Sequence, residues 1–273
     1  METDAIAAAT AAVEAVEAVS GASALPPTGF ALILSKAYWF VMVPMVYLSI
    51  AFMALMLVWK LFEIFRKPVP YSLAIYPARK RPLLAAMADA FTMPQIRKRR
   101  PVFWIFLMVY HVAFLLLILG HFDILSAVNF MPPESRHMLG AGAVGVAVTA
   151  PVFFFLIRRF SGEERKISAP SDYLLLFLLL FLFLLGDMIS WGNSWTANGF
   201  VMTKADFALY FDGLASFSFA DPREVLHGSH YHFVVLHVFL ANVFFIVLPF
   251  SKVIHTFLSL PVNLLRRKPW TQK

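Results

Sequence analysis

The sequence predicts an all-α integral membrane bundle of five transmembrane helices, with the N-terminus outside and the C-terminus in the cytoplasm. Three observations carry this expectation: composition, five apolar runs, and the one-sided distribution of basic residues. With 60% hydrophobic residues, 14% charged residues and 29 Phe in 273 positions, the chain cannot cover itself with the polar surface that a water-soluble globule needs. Lipid is its solvent.

The runs fall at about 37–59, 102–122, 138–157, 173–191 and 231–250, and each is long enough to cross a hydrocarbon core of about 30 Å. The first is preceded by an Ala-rich stretch, 1–30, carrying Glu2, Asp4, Glu14 and Glu17. It lacks the basic n-region of a cleaved signal peptide and is expected to form a loosely held outer-face helix. Between the first two runs, residues 65–100 hold Pro68, Pro70, Pro77, Pro82 and Pro94, which preclude one long helix and predict a strap along the membrane or against a partner. The 192–229 connection is too long for a turn and is expected to hold a short interfacial helix around 205–217. These elements define an N-terminal extension over 1–30, a five-helix domain over 31–268 and a tail over 269–273.

Basic residues set the orientation. The connection after the first run holds nine (Arg66, Lys67, Arg79, Lys80, Arg81 and Arg97 to Arg100), the one after the third holds four (Arg158, Arg159, Arg165, Lys166), and the tail holds four more. On the other side stand Arg136, Lys204 and Arg223. Positive-inside bias puts the dense side in the cytoplasm, so the net charge of +7 reflects topology, and no nucleic-acid partner is expected. The chain has no cysteine, which removes disulfides, cysteine-held iron–sulfur clusters and covalent c-type haem. A redox metal would have to be held by histidine.

Four histidines lie within the apolar segments: His111 and His121, ten residues apart, and His237 and His255, eighteen apart. An ionisable group at membrane depth marks function by default, at a cost of roughly 2.5 kcal/mol or more unless neutral and paired. At 1.5 Å per residue, His111 lies about 15 Å in from Pro101 and His121 about 15 Å farther. The fifth run is antiparallel, with His237 near the outer face and His255 about 27 Å beyond it. The two intervals differ by about 12 Å, a mismatch that helix tilt and a break at Pro249 would shorten. Depth permits His121 with His237 and His111 with His255, and equally His111 with His237 and His121 with His230 or His232. Either pairing suits bis-imidazole ligation of iron in two b-type haems. The bland alternative is histidines that bridge helices by hydrogen bonds.

Other polar positions carry double readings. Asp187, in LLGDMIS, is a candidate proton acceptor from a quinol, or pairs with Arg136, or caps backbone. His227, His230 and His232 in HGSHYH are candidate quinone contacts or interfacial hydrogen-bonders. GAGAVG, with Gly140, Gly142 and Gly145, allows close backbone approach or room for a porphyrin edge. The basic cytoplasmic loop meets lipid headgroups or, through Arg97 to Arg100, an acidic partner.

GHF at 120–122, the ten- and eighteen-residue histidine spacings, and PFSKVIH followed by LPVNLLRRK resemble the di-haem cytochrome b family of the respiratory nitrate reductase gamma subunit. That family includes the membrane subunits of heterodisulfide reductase and of the dissimilatory sulfite reductase-associated complex. The likeness covers about 37–268. It implies two haem b groups, with His111 and His255 on the inner iron and His121 and His237 on the outer one. It also implies a quinone site by the outer haem, with menaquinone the expected substrate. Electrons would leave to a cytoplasmic iron–sulfur subunit, with further membrane and periplasmic subunits as possible companions, in a prokaryotic cytoplasmic (inner) membrane. The nitrate reductase branch associates a lysine near the outer start of the third span with quinol; here SRHMLGAGAVG offers Arg136 and His137 instead. With Asp187 and His230 these are the quinone-site candidates. The long N-terminal extension and outer connection favour the sulfite- or heterodisulfide-reductase type over a nitrate reductase gamma subunit. A transporter or haem-free anchor remains as an alternative of another class, although the halves show no repeat and the midplane is nearly all Leu, Phe and Val.

Overall fold

A computed structural model describes residues 29–66, 81–128, 142–195, 204–226, 228 and 230–265. The extension over 1–28, Arg136, His137, His227 and the chain after 265 lie outside these residues. By internal contacts the chain divides into residues 1–38 and 39–273; the described part of the first is the leading portion of an apolar helix, and the bundle core lies within the second.

The described residues are mostly helical, and none of them forms a strand. In chain order they form α1 (Gly29–Met42), α2 (Pro44–Arg66), α3 (Pro82–Thr92), α4 (Pro94–Arg99), α5 (Pro101–Ile124), α6 (Ala143–Phe160), α7 (Gly162–Ile167), α8 (Pro170–Trp195), α9 (Lys204–Ala215), α10 (Tyr231–Val247) and α11 (His255–Leu265). Five segments are long and apolar enough to span a membrane: 29–66 and α5, α6, α8 and residues 231–250. The expected spans are therefore present, the first longer than its apolar run because helix continues on both sides of Pro44. The prolines of the strap act differently from a simple break: Pro82, Pro94 and Pro101 each occupy the first turn of a helix, where a missing N–H costs nothing.

The bundle is a sequence of close neighbours: α5 on α6, α6 on α8, α8 on α10, and α10 on α2. Its core joins Leu57, Ala113, Val148, Val152, Leu180, Phe183, Phe244 and Leu248 from all five. Large side chains such as Leu55, Val112, Phe153, Leu174 and Leu236 stay exposed on the outside, as suits helices whose solvent is hydrocarbon.

Pro44 interrupts the first span, and backbone oxygens freed at the break find side-chain donors. Asn242 Nδ2 donates to the Val41 carbonyl (3.0 Å) and Tyr210 Oη to that of Met42 (2.6 Å), while Ser49 Oγ donates to Asn242 Oδ1 (2.7 Å). Apolar surroundings demand this satisfaction, because water cannot supply it. The expected interfacial helix is α9, and it caps one end of the bundle. Lys204 donates to the buried Asp123 (2.9 Å), Ser126 donates to Asp212, and Tyr47 Oη donates to the Leu214 carbonyl (3.0 Å).

Candidate bis-histidine centres

At the end that α9 caps, the rings of His121 and His237 face each other with centroids 6.4 Å apart and planes 11° from parallel. Ten residues earlier on α5, towards the basic end, His111 lies 5.9 Å from His255, their planes at 67°. Of the two pairings that depth allowed, the structure brings together His121 with His237 and His111 with His255. His230 and His232 instead sit with Phe233 at the start of α10, 6.5 Å from each other.

The mismatch of intervals is resolved by the backbone after Val247. The α-helix gives way to a 3-10 turn at Leu248–Phe250, an extended Ser251 (φ −96°, ψ 170°) and a second 3-10 turn at Lys252–Ile254 before α11 begins at His255. His255 therefore stands on a new helix, as the break at Pro249 predicts, and no longer continues the axis that carries His237. α5 and α10, among the described residues, are not close-packed on each other; at their histidines they meet through imidazoles.

Each ring is oriented the same way. Nδ1 of His111 donates to the Leu107 carbonyl (2.6 Å), that of His121 to Leu117 (2.8 Å), that of His237 to Leu182 of α8 (3.1 Å) and that of His255 to Lys252 (2.7 Å). A carbonyl oxygen only accepts, so Nδ1 carries the hydrogen in every case and Nε2 keeps its lone pair. That tautomer is the one a metal-ligating histidine needs, and the outer hydrogen bond raises its basicity. Among the described residues, His, Cys, Asp and Glu form no cluster of three or more able to hold a metal ion; each pair would offer two imidazole ligands to a metal already held by a porphyrin. Two metal–imidazole bonds of about 2 Å, with roughly 1 Å from each nitrogen to its ring centre, require centroids about 6 Å apart. Both pairs fit b-type haem iron on these grounds.

The surroundings of His237 come from α8. Leu182 and Gly186, one turn apart, present a carbonyl and a bare Cα to the same ring; a Cβ at Gly186 would stand 3.2 Å from His237 Cε1. Asp187, on α8, is buried against α6, where it accepts from Thr149 Oγ1 (2.8 Å). A Cβ on Gly145 would land on the Asp187 carboxylate, so the space that this glycine leaves is taken by Asp187. Of the two readings of Asp187 that do not involve a quinol, backbone capping gives way to a hydroxyl partner, and Arg136 is outside the described residues.

The basic end holds an ionic layer that sequence reasoning missed. Glu164 accepts from Arg100 and Arg158, and the Arg100 hydrogen bond, first among several causes, holds its carboxyl below the usual carboxylate range. Arg158 also lies over the Phe103 ring, 4.2 Å from its centroid. Asp172 accepts from Arg159 (2.9 Å) and Lys252 (2.8 Å). These partners stand 13 to 80 residues apart, so no local pattern announces them. The buried Lys204–Asp123 pair was equally unmarked, since Lys204 read only as one of a few outer cations.

A profile of the nitrate reductase gamma subunit family matches residues 94–273, a region that holds all four histidines. The nitrate reductase gamma chain of Bacillus subtilis is 33% identical over 140 residues, covering 49% of this chain and 60% of that protein. The Hdr-like menaquinol oxidoreductase cytochrome b-like subunit of Archaeoglobus profundus is 26% identical over 167 residues, covering 56% and 46%. This chain thus spans about half to three-fifths of the length of these relatives. Five apolar spans together with this match make it a multi-pass protein of the prokaryotic cytoplasmic membrane. Matched over well more than half its length, the region that carries both histidine pairs included, the chain belongs to the nitrate reductase gamma subunit family.

Proposed function

We propose that this chain is the membrane cytochrome b subunit of a respiratory complex, carrying electrons between menaquinol at the outer face and a cytoplasmic iron–sulfur subunit of the heterodisulfide-reductase-like kind. The observation that carries this reading is the set of two imidazole pairs, one at the middle of α5 and one near its C-terminal end, all four rings with Nδ1 committed to a carbonyl. His121 and His237 would hold one haem iron and His111 and His255 the other. When bound, the two haems supply one-electron centres whose potentials follow axial ligation and burial.

The chain's own residues then have defined tasks. The Leu107, Leu117, Leu182 and Lys252 carbonyls fix ring orientation and ligand basicity. The aromatic contacts of Tyr110 with Phe114 (5.7 Å) and of Phe114 with Phe183 (6.0 Å) fill the core between the levels of the two pairs and exclude water. Asp187, held by Thr149 on the helix that supports His237, is the proton acceptor when menaquinol is oxidised beside the outer pair, with Arg136, His137 and His230 as further contacts for the headgroup. Protons released outside while electrons move inward make the cycle charge-separating.

A nitrate reductase gamma role is the second reading, favoured by the 33% identity to the Bacillus subtilis protein; the two differ in partner and share the membrane chemistry. Purified chain should give a reduced b-type spectrum and two haems per polypeptide, with His237→Ala removing the outer haem alone and His255→Ala the inner alone. Absence of haem from chain made in haem-replete cells would favour the anchor or transporter reading and overturn this one.

A further inference from the structure

The PFSKVIH segment leads into His255, the first residue of α11, through two short 3-10 turns, and the placement of those turns sets the ring. Pro249 ends α10, and Ser251 starts the next turn by accepting from the Val253 N–H (3.2 Å). The Lys252 carbonyl then receives the His255 Nδ1 hydrogen (2.7 Å). The same carbonyl accepts the His255 backbone N–H within the 3-10 turn, so its aim follows the placement of the turn as a whole, and that placement depends on where residue 252 is tethered.

The tether is Asp172. Its carboxylate, 4% exposed, accepts from the Ala169 N–H (3.2 Å), Arg159 Nη1 (2.9 Å) and Lys252 Nζ (2.8 Å). The first contact is the reach-back of a third-position helix residue to the N-cap and fixes Asp172 to the start of α8; the second ties it to the end of α6, whose Arg159 carbonyl also accepts from Tyr173 Oη (2.7 Å). Lys252 itself is 69% exposed. The carboxylate is the fixed partner and the lysine the one drawn to it.

We propose that Asp172 is a positioning residue for His255: through Lys252 it sets the carbonyl that orients the imidazole, and so tunes the iron centre at the basic end. The proposal rests on the haem reading above. Its logic is that of the outer-shell partners of metal-bound histidines, whose loss typically weakens metal retention about 10- to 100-fold.

The test compares Asp172→Asn, Lys252→Met and Asp172→Glu in the full chain, reading haem content, redox potentials and low-spin electron paramagnetic resonance signals. The outer centre serves as an internal measure of folding. Asn and Met variants should both broaden the inner low-spin signal and weaken inner haem retention about tenfold or more, with the outer signal unchanged and Glu restoring much of the wild-type inner signal. If charge alone mattered, Asp172→Asn would raise the inner potential and Lys252→Met lower it, with both inner signals still sharp; that outcome overturns the proposal. So does loss of both haems in Lys252→Met, which would assign the pair to general folding. Wild-type chain devoid of haem is a separate outcome, and it defeats the functional reading itself.

Discussion

Gly186 decides where the His237 ring can lie. With no Cβ it lets the imidazole reach across to the Leu182 carbonyl, and an alanine there would crowd Cε1 at 3.2 Å and Nδ1 at 3.6 Å. On the proposed haem assignment, Gly186→Ala should therefore lengthen the hydrogen bond to Leu182, make His237 a poorer donor, raise the potential of the outer haem and weaken its retention by roughly tenfold, while the inner haem keeps its potential in the same redox titration. A different residue-scale effect belongs to Tyr210. Its phenol is buried, donates to the Met42 carbonyl and is pushed above its ordinary pKa chiefly by that burial, so it stays neutral throughout the usable pH range. Tyr210→Phe should cost about 1–3 kcal/mol by leaving that carbonyl unsatisfied, with the same loss at pH 6 and pH 9 in thermal unfolding of the detergent-solubilised protein. At this scale the four histidines were legible because an ionisable group in an apolar run stands out against its neighbours. Gly186, Asp172 and Asp123 were not: a glycine in LLGDMIS reads as packing, and an aspartate two places after a proline reads as a helix cap, while the partner that gives each its role comes from a distant stretch of chain.

The break at Pro249 is the element on which the pairing turns. On one continuous helix His255 would stand about 27 Å along the axis from His237, too far to meet His111 while His237 meets His121. Pro249→Ala removes the block to helix continuation, and the result expected on the proposed assignment is selective loss of the inner haem with the outer one retained, read as halved haem content. Retention of both would mean that Ser251 and the Asp172 tether suffice to hold the bend. The short helix α7 adds a pH-dependent element. The Glu164 carboxyl is held below its ordinary value by Arg100, so its contribution is present above the unfolded-state pKa and is lost as acid protonates it through the lower folded-state pKa. Glu164→Gln should flatten that acid limb of a stability–pH profile and leave the profile above about pH 5 unchanged in shape. The elements themselves were legible where apolar runs were long. The strap was less so, because a proline ends one helix and begins the next with equal ease, and only burial of Ala85 and Ala86 as α3 packs on α11 tells which.

For the molecule as a whole, the ionic layers at the two ends differ in kind. The basic end gathers Arg100, Arg158, Arg159 and Lys252 around Glu164 and Asp172, whereas the other end buries the Lys204–Asp123 pair at the start of the α9 cap. Positive-inside bias predicts that the first faces the cytoplasm, and this orientation decides the energetics of the proposed cycle: only if the His121–His237 pair faces outward would quinol oxidation beside it release protons to the outside. The absence of cysteine makes the orientation directly measurable, since any thiol introduced is the chain's sole reactive one. Ala220→Cys, beyond α9, should react with a membrane-impermeant maleimide in intact cells or spheroplasts, and Lys98→Cys, in α4, only after the membrane is permeabilised. Both positions are exposed, so a lack of labelling reports sidedness and not burial. The reverse pattern would invert the direction in which charge moves in the proposed cycle for a given direction of electron flow, and would put the docking face for the proposed iron–sulfur partner on the opposite side of the membrane.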